Sequence, residues 1–224
     1  MSKLVPPHGG SPLKPLLVGK TERFECAARA ESLTRITLSS RELSDLFMMG
    51  MGAYTPLEGF MGESDWRGTC VDMKLSNNLF WPIPITLSCG QDQAGAIVAG
   101  DEIALADEDG AVVGTMKIEE KYTIDRMFEC RQIFGTTDEK HPGVQKVLEQ
   151  GAVNLAGPVS VLSEGHYPAT YKGLYYRPAE TRALFEEKGW STVAAFQTRN
   201  PMHRSHEYLA KIAIEICDGV LIHQ

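Results

Sequence analysis

The sequence lacks any apolar run long enough to cross a membrane, and its first residues lack the apolar core of a signal peptide. It also lacks a basic excess, because 29 acidic residues against 22 basic ones leave a net charge of −7. Proteins that coat nucleic acid usually have the opposite balance. We therefore expect neither a membrane nor a nucleic-acid partner, although a local cluster of donors could still bind a small anion.

Cysteine is scarce and follows no pattern. The five cysteines are scattered, their number is odd, and no Cys-x-x-Cys occurs. This spacing argues against a disulfide framework and against a cysteine-bound zinc ion. It predicts free thiols, which are typical of the reducing cytoplasm.

Residues 1–166 are predicted to form a β-rich domain. After a Pro- and Gly-rich arm over 1–20, Ser39 and Glu42 match the capping box that opens a helix over 39–49. Further elements are a turn-rich loop over 54–62, strands between 80 and 124 around an Asp109-Gly110 turn, helices over 125–133 and 142–149, and a strand over 154–162. The many short strands suggest a small barrel.

The pattern changes after the segment 163–168, and residues 167–224 are predicted to begin an α/β domain. The predicted elements are a helix over 178–188, a buried parallel strand over 192–196, an amphipathic helix over 201–217 and an apolar strand over 220–222. Parallel sheets are built from such strand–helix–strand units. Since one unit cannot cover both faces of a parallel sheet, we expect these residues to belong to a longer chain.

The segment QTRNPMHRSHE, residues 197–207, joins the short strand to the long helix. Asn200 suits the helix N-cap, and Pro201 suits the first helical position. The free N–H groups and the positive dipole end of that helix favour an anion. His203 and His206 are three residues apart, so they are predicted to share one face of the helix.

Two more side chains suit the same anion. Arg199 carries a guanidinium fork that matches an oxyanion, and Gln197 at the strand end adds an amide donor. All these groups lie at the carboxyl edge of the predicted parallel sheet, where such folds bind ligands. The segment therefore predicts a phosphate or sulfate site.

Other interpretations of these residues stay open. Two histidines at this spacing could ligate a metal, but zinc proteases use i, i+4 spacing, and Arg204 beside His203 would disfavour a cation. The histidines could also be ordinary partnered residues at a helix start. Arg204 and Glu207 are expected on a solvated helix face, and Phe60 and Met61 in the core.

The pattern Gln-x-Arg-Asn-x-x-His-x-x-His resembles the signature of ATP sulfurylases. Its fixed positions are filled by Gln197, Arg199, Asn200, His203 and His206. The segments YTPLEGFM, FWPIPITL and RPAETR, at 54–61, 80–87 and 177–182, are also similar to that family. The resemblance implies a β-rich PUA-like N-terminal domain followed by a Rossmann-like nucleotidyltransferase domain, which is α/β overall.

The resemblance also implies a reaction: ATP and sulfate give adenylyl sulfate and pyrophosphate reversibly, without a covalent enzyme intermediate. Gln197 and Arg199 would hold sulfate. The residues that would contact ATP are Gln197, Thr198, Arg199, Asn200, His203 and His206, and all but Gln197 would act in catalysis. Mg²⁺ would accompany ATP, no metal would bind the protein itself, and the full-length protein is expected to be a homo-oligomer.

One segment of the family is absent. ATP sulfurylases carry a later Gly-Arg-Asp-His-Ala-Gly segment that contacts ATP and sulfate, and this sequence does not contain it. We therefore expect the 224-residue chain to be catalytically incomplete by itself. A nucleotidyltransferase with another acceptor stays an alternative, although the Gln197-x-Arg199 pair favours a small dianion. An RNA-binding PUA-type module is a second alternative, which the net charge of −7 disfavours.

Overall fold

The computed structural model describes residues 4–223, which form two compact units. The larger unit spans Leu13–Tyr175, and the smaller unit combines the N-terminal segment up to Pro12 with the residues from Tyr176 onward. Residues 1–3 of the predicted arm and Gln224 lie outside the described residues. The domain boundary between residues 166 and 167 stays a prediction.

The larger unit combines short helices with one seven-stranded sheet. Its elements are α1 (Lys20–Ala30), β1 (Thr34–Thr37), α2 (Ser40–Gly50), β2 (Gly59–Phe60), α3 (Glu63–Asp72), β3 (Leu87–Cys89), α4 (Gln91–Gly95), β4 (Glu102–Ala106), β5 (Val112–Lys117), β6 (Glu120–Tyr122), α5 (Arg126–Phe134), α6 (Pro142–Leu148), β7 (Val153–Val161) and α7 (Tyr167–Thr170). None of the helices within residues 4–223 combines the length and the apolar character that a membrane span needs.

The nine-residue strand β7 organises this sheet. Leu155 of β7 pairs with Leu87 of β3 and with Lys121 of β6, so β3 and β6 lie on opposite edges of β7. β2 and β5 also pair with β7, β4 joins β5 as an antiparallel hairpin, and β1 joins β4 in parallel. The larger unit therefore has the β-rich character that the sequence predicts.

One large apolar cluster fills the larger unit. Its most buried side chains include Ile36, Leu46, Leu87, Ile103, Leu105, Met116 and Leu155. Phe60 and Met61 are each 3% exposed, which confirms their predicted place in the core. A second cluster around Trp66 packs α3 against α5.

Several predicted elements of the larger unit are confirmed. The Ser39 N–H donates to the Glu42 carboxylate over 2.9 Å, as the capping box requires, and α2 ends at Gly50. The β4–β5 hairpin turns through Gly110, whose φ of +84° favours glycine. The helices α5 and α6 and the strand β7 match the predicted ranges to within one residue at each end.

Two features of the larger unit differ from the prediction. The segment before Leu87 is not a strand, because Pro82 and Pro84 lack the N–H groups that a strand ladder needs. The pattern also does not predict α1, α3, α4 or β1. α1, for example, buries only Cys26 and Ala30, so its apolar periodicity is weak.

In the smaller unit, α8 (Pro178–Glu187) leads to β8 (Val193–Gln197), α9 (Arg204–Ile216) and β9 (Gly219–His223). The two strands pair in parallel, from Val193 with Gly219 to Gln197 with His223. This arrangement confirms the predicted strand–helix–strand unit, with which the Rossmann-like domain is expected to begin.

The burial predicted for β8 is wrong, and the apolar face of α9 is exposed as well. Ala195 in β8 is exposed, and on α9 Leu209 and Ile216 are 52% and 77% exposed. The reason is that the described residues of this unit supply only two strands and no further layer to cover them. α9 therefore has the predicted apolar periodicity, but its apolar side chains are exposed to solvent.

Candidate active site

The chain leaves β8 at the carboxyl edge of the parallel pair. Gln197 ends β8 and pairs with His223 at the end of β9. The Thr198 N–H then donates to the His223 carbonyl over 2.9 Å, which directs the following turn across the end of β9. Open α/β sheets bind their ligands at this edge.

Thr198 shapes the turn that follows. Its hydroxyl donates to the Asn200 carbonyl over 3.0 Å and accepts from the Asn200 N–H over 3.2 Å. Such local bonds compete with helix formation, so α9 does not begin at this point. The prediction that Asn200 is the N-cap and Pro201 the first helical residue is wrong, because the helix begins at Arg204.

The N-cap of α9 is His203. Its Nδ1 accepts from the Ser205 N–H over 3.4 Å and lies 2.8 Å from Ser205 Oγ. The His203 N–H in turn donates to Nδ1 of His206 over 3.4 Å, which completes a reciprocal capping box. Because both Nδ1 atoms act as acceptors, each neutral imidazole keeps an Nε2–H that can donate to a ligand.

The two imidazoles lie together, as their spacing predicts. Their ring centroids are 3.9 Å apart at the start of a thirteen-residue helix. The helix start adds the positive end of the macrodipole to the two N–H donors. This combination favours a negatively charged group such as a phosphate.

The predicted site residues lie on both faces of the strand end. The Phe196 ring is 5.7 Å from His206, so α9 covers the face that carries Phe196. Gln197 is the next residue along β8 and lies on the opposite face. The side chains of Gln197, Arg199, Asn200 and His203 are exposed, His206 is half-buried and Thr198 is buried.

Two residues at this edge are not predicted from the sequence. Ser205 completes the cap, and His223 pairs with Gln197. The strand predicted over 220–222 ends one residue before His223. No local signal in the sequence marks His223, because its place beside Gln197 depends on the register of β8 and β9. Arg204 and Glu207 are exposed, as predicted.

Asp218 stabilises the opposite end of the strand pair. Its Oδ2 accepts the N–H groups of Ser191 and Thr192, over 2.8 and 2.9 Å, and the hydroxyls of both residues. These bonds, with that from the Ser191 N–H as the strongest, hold the pKa of the Asp218 carboxyl well below its ordinary value. The amino ends of β8 and β9 are thereby fixed, which keeps their carboxyl ends in register.

Metal ligands are not grouped in the part of the chain that the structure describes. Within residues 4–223, no three His, Cys, Asp or Glu side chains are placed to hold one metal ion. The five cysteines are free thiols, and all of them except Cys217 are buried.

Two family models match the chain. The model described as PUA-like domain matches residues 5–164, and the model described as ATP-sulfurylase matches residues 172–224. The second match contains the whole segment from Gln197 to Glu207.

Curated relatives match almost the whole chain. The sulfate adenylyltransferase of Psychrobacter cryohalolentis is 59% identical over 99% of this chain, and that of Chlorobaculum tepidum is 58% identical over 99%. The sulfate adenylyltransferase of Thiobacillus denitrificans is 59% identical over 100% of this chain. The chain spans only 54–55% of the length of these relatives.

A solved structure has a similar fold. The protein described as hexameric APS kinase from Thiobacillus denitrificans matches 98% of this chain and 39% of its own chain, with a TM-score of 0.75 and 29% sequence identity. Together with the family models and relatives at 54–59% identity, this likeness confirms the resemblance seen in the sequence. The chain therefore belongs to the ATP sulfurylase family, with a PUA-like domain over residues 5–164 and an ATP-sulfurylase domain match over residues 172–224.

Proposed function

We propose that this chain is part of a sulfate adenylyltransferase, which transfers the adenylyl group of ATP to sulfate and gives adenylyl sulfate and pyrophosphate. The observation that carries the proposal is the segment from Gln197 to His206. It presents an amide, a guanidinium and two imidazoles at the carboxyl edge of a parallel strand pair and at a helix start. The names of the relatives support the same reaction.

Gln197 and Arg199 hold sulfate in this proposal. The guanidinium of Arg199 can pair with two sulfate oxygens at once, and the Gln197 amide donates to a third. Thr198 and Asn200 flank Arg199, and the two bonds between them fix the turn from which the guanidinium projects. A sulfate oxygen positioned in this way attacks the α-phosphorus of ATP.

His203 and His206 bind the ATP phosphates. Their Nε2–H groups donate to phosphate oxygens and stabilise the charge that develops in the transition state, while the start of α9 adds its dipole. Positioning and charge neutralisation carry most of phosphoryl-transfer catalysis, so no protein nucleophile is needed. Pyrophosphate then leaves, and Mg²⁺ arrives and departs on the phosphates as part of the substrate.

We further propose a cytoplasmic homo-oligomer with a domain division into residues 1–166 and 167–224. The free thiols are typical of a reducing compartment. The gap between the two family matches, from residue 164 to residue 172, spans the proposed boundary. Light scattering on the full-length protein tests the oligomer, and a single-subunit mass would contradict it.

Titration calorimetry with adenylyl sulfate tests the reaction. The 224-residue chain and a chain extended to the length of its relatives are each measured with and without Arg199→Ala. We expect the extended chain to bind, the 224-residue chain to bind more weakly, and the substitution to abolish binding. An extended chain that ignores adenylyl sulfate but binds ATP would indicate a nucleotidyltransferase with another acceptor.

A further inference from the structure

His223 lies beside Gln197 at the carboxyl edge of the parallel pair. The two residues are direct partners in the register of β8 and β9. Neighbouring strands lie about 4.8 Å apart, and paired residues project from the same face of a sheet. Both side chains are exposed. The imidazole of His223 and the amide of Gln197 therefore stand next to each other on one face.

This face is opposite to the one that α9 covers. The contact between His206 and Phe196 assigns α9 to the other face. Trp190 lies against Gly219, at the amino end of the face that carries Gln197 and His223. At its carboxyl end this face consequently presents polar side chains from two adjacent strands.

Within the described part of the chain, the backbone of His223 is held by a hydrogen bond, whereas its ring makes none. Its carbonyl accepts the Thr198 N–H over 2.9 Å, so His223 supports the first residue of the turn that carries Arg199. Among residues 4–223, the imidazole of His223 has no side-chain hydrogen bond or ion pair. A histidine with a fixed backbone and a free ring, at the edge where α/β sheets bind ligands, is placed to donate to a ligand.

We propose that His223 is a further sulfate-binding residue, which donates an imidazole N–H to the sulfate that Gln197 and Arg199 hold. This inference rests on the proposed function. The sulfate dianion has four oxygens that accept hydrogen bonds, and an imidazole donor from the neighbouring strand completes the donors from β8 and the turn. The two substrates then lie on different sides of the strand ends. Sulfate lies on the face that carries Gln197, and the ATP phosphates lie at His203 and His206.

Steady-state kinetics of the full-length protein test this assignment. His223→Ala should raise the KM for sulfate about tenfold, the effect of losing one hydrogen bond to a charged group, and should leave the KM for ATP nearly unchanged. His223→Asn keeps a side-chain donor and should restore part of the sulfate affinity. Ile222→Ala, on the same strand but on the opposite face, is the matched control and should change neither KM.

Three results would overturn the assignment: an unchanged KM for sulfate, equal increases in both KM values, or the same effect from Ile222→Ala. The proposed function fails separately, namely when the unsubstituted protein forms no adenylyl sulfate from ATP and sulfate. If the substituted proteins do not fold, the Cε1–H resonance of His223 in the unsubstituted protein replaces the kinetics. That resonance should shift on addition of sulfate, and one that stays in place contradicts the proposal.

Discussion

The phenolic hydroxyl of Tyr54 donates a 3.1 Å hydrogen bond to Oδ1 of Asp45 and joins α2 to the loop that follows it. Asp45 is only 8% exposed. Burial raises the pKa of its carboxyl from 3.8 to about 6, although Arg41 and the bond from Tyr54 act in the opposite direction. An ionised carboxylate at this buried position is costly at neutral pH, whereas the protonated carboxyl is better accommodated.

We expect Asp45→Asn to stabilise the protein at neutral pH. Because the folded state holds the proton more tightly than the unfolded chain, the favourable contribution of Asp45 is complete below its unfolded pKa of 3.8 and is lost as pH rises through about 6. The amide avoids this loss, which amounts to at most about 3 kcal/mol for a shift of this size, and still accepts from Tyr54.

Urea unfolding at several pH values between 4 and 7 measures the effect of Asp45→Asn. The stability of the variant should depend less on pH over this interval than that of the unsubstituted protein. Tyr54→Phe is the matched control, because it removes the hydrogen bond and keeps the carboxyl, and it should retain the pH dependence. If the unfolding free energy changes equally with pH in the unsubstituted protein and in Asp45→Asn, the Asp45 carboxyl does not have the raised pKa that its burial implies.

The bond between Trp66 and Glu129 gives a second prediction. The indole Nε1 donates to Glu129 Oε2 over 2.6 Å, and both residues are 3% exposed, so this bond connects α3 to α5 in a dry environment. Glu129→Ala leaves the indole N–H buried without its acceptor, which should cost about 1–3 kcal/mol of unfolding free energy. Glu129→Gln retains an acceptor oxygen and should cost less. Denaturant unfolding measures both variants. Equal losses of unfolding free energy would contradict a contribution from the hydrogen bond and would indicate that the packing of the Glu129 side chain causes the effect.

The sequence predicts best where local chemistry decides the structure. Ser39 and Glu42 cap α2, and Gly110 closes the β4–β5 hairpin, because the partners involved lie within a few residues of each other. α1 and α3 are not predicted, since neither has a strong apolar period and both depend on packing against distant parts of the chain.

In the candidate site, too, local features are predicted from the sequence and long-range features are not. The motif residues from Gln197 to His206 and their place after a parallel strand follow from the sequence and from the family resemblance. The start of α9 does not, because the Thr198 hydroxyl holds Asn200 in a turn and a histidine takes over the cap. The place of His223 in the site cannot be predicted before the register of β8 and β9 is known, since that register depends on residues far apart in the sequence.

Gly219 gives a third prediction, on close packing. A Cβ at this position would lie 2.3 Å from the indole of Trp190, so Gly219→Ala must displace the ring. We expect a loss of about 1–3 kcal/mol of stability, which is typical of overpacking. Gly95→Ala in α4 is the matched control, because no atom lies within 4 Å of its Cβ, and it should be neutral or stabilise by up to about 1 kcal/mol. Thermal unfolding compares the two, and equal midpoints would contradict the contact.

His203 gives the last prediction, because it has two functions that can be separated. Its Nδ1 caps α9 through Ser205, and its Nε2–H is free to donate to a phosphate. His203→Asn replaces the cap with a residue type that caps helices well, but its shorter amide places no donor at the position of the imidazole Nε2–H. The unfolding free energy should therefore change little, whereas affinity for adenylyl sulfate in the full-length protein should fall about tenfold or more.

His203→Ala completes the comparison, since it removes both the cap and the donor. It should weaken ligand binding as much as His203→Asn does and should also cost about 1 kcal/mol of stability. Titration calorimetry and denaturant unfolding on the same preparations measure the two effects. If His203→Asn binds adenylyl sulfate as tightly as the unsubstituted protein, the imidazole serves only to begin the helix, and the phosphates must be bound by the dipole and N–H groups of α9 without it.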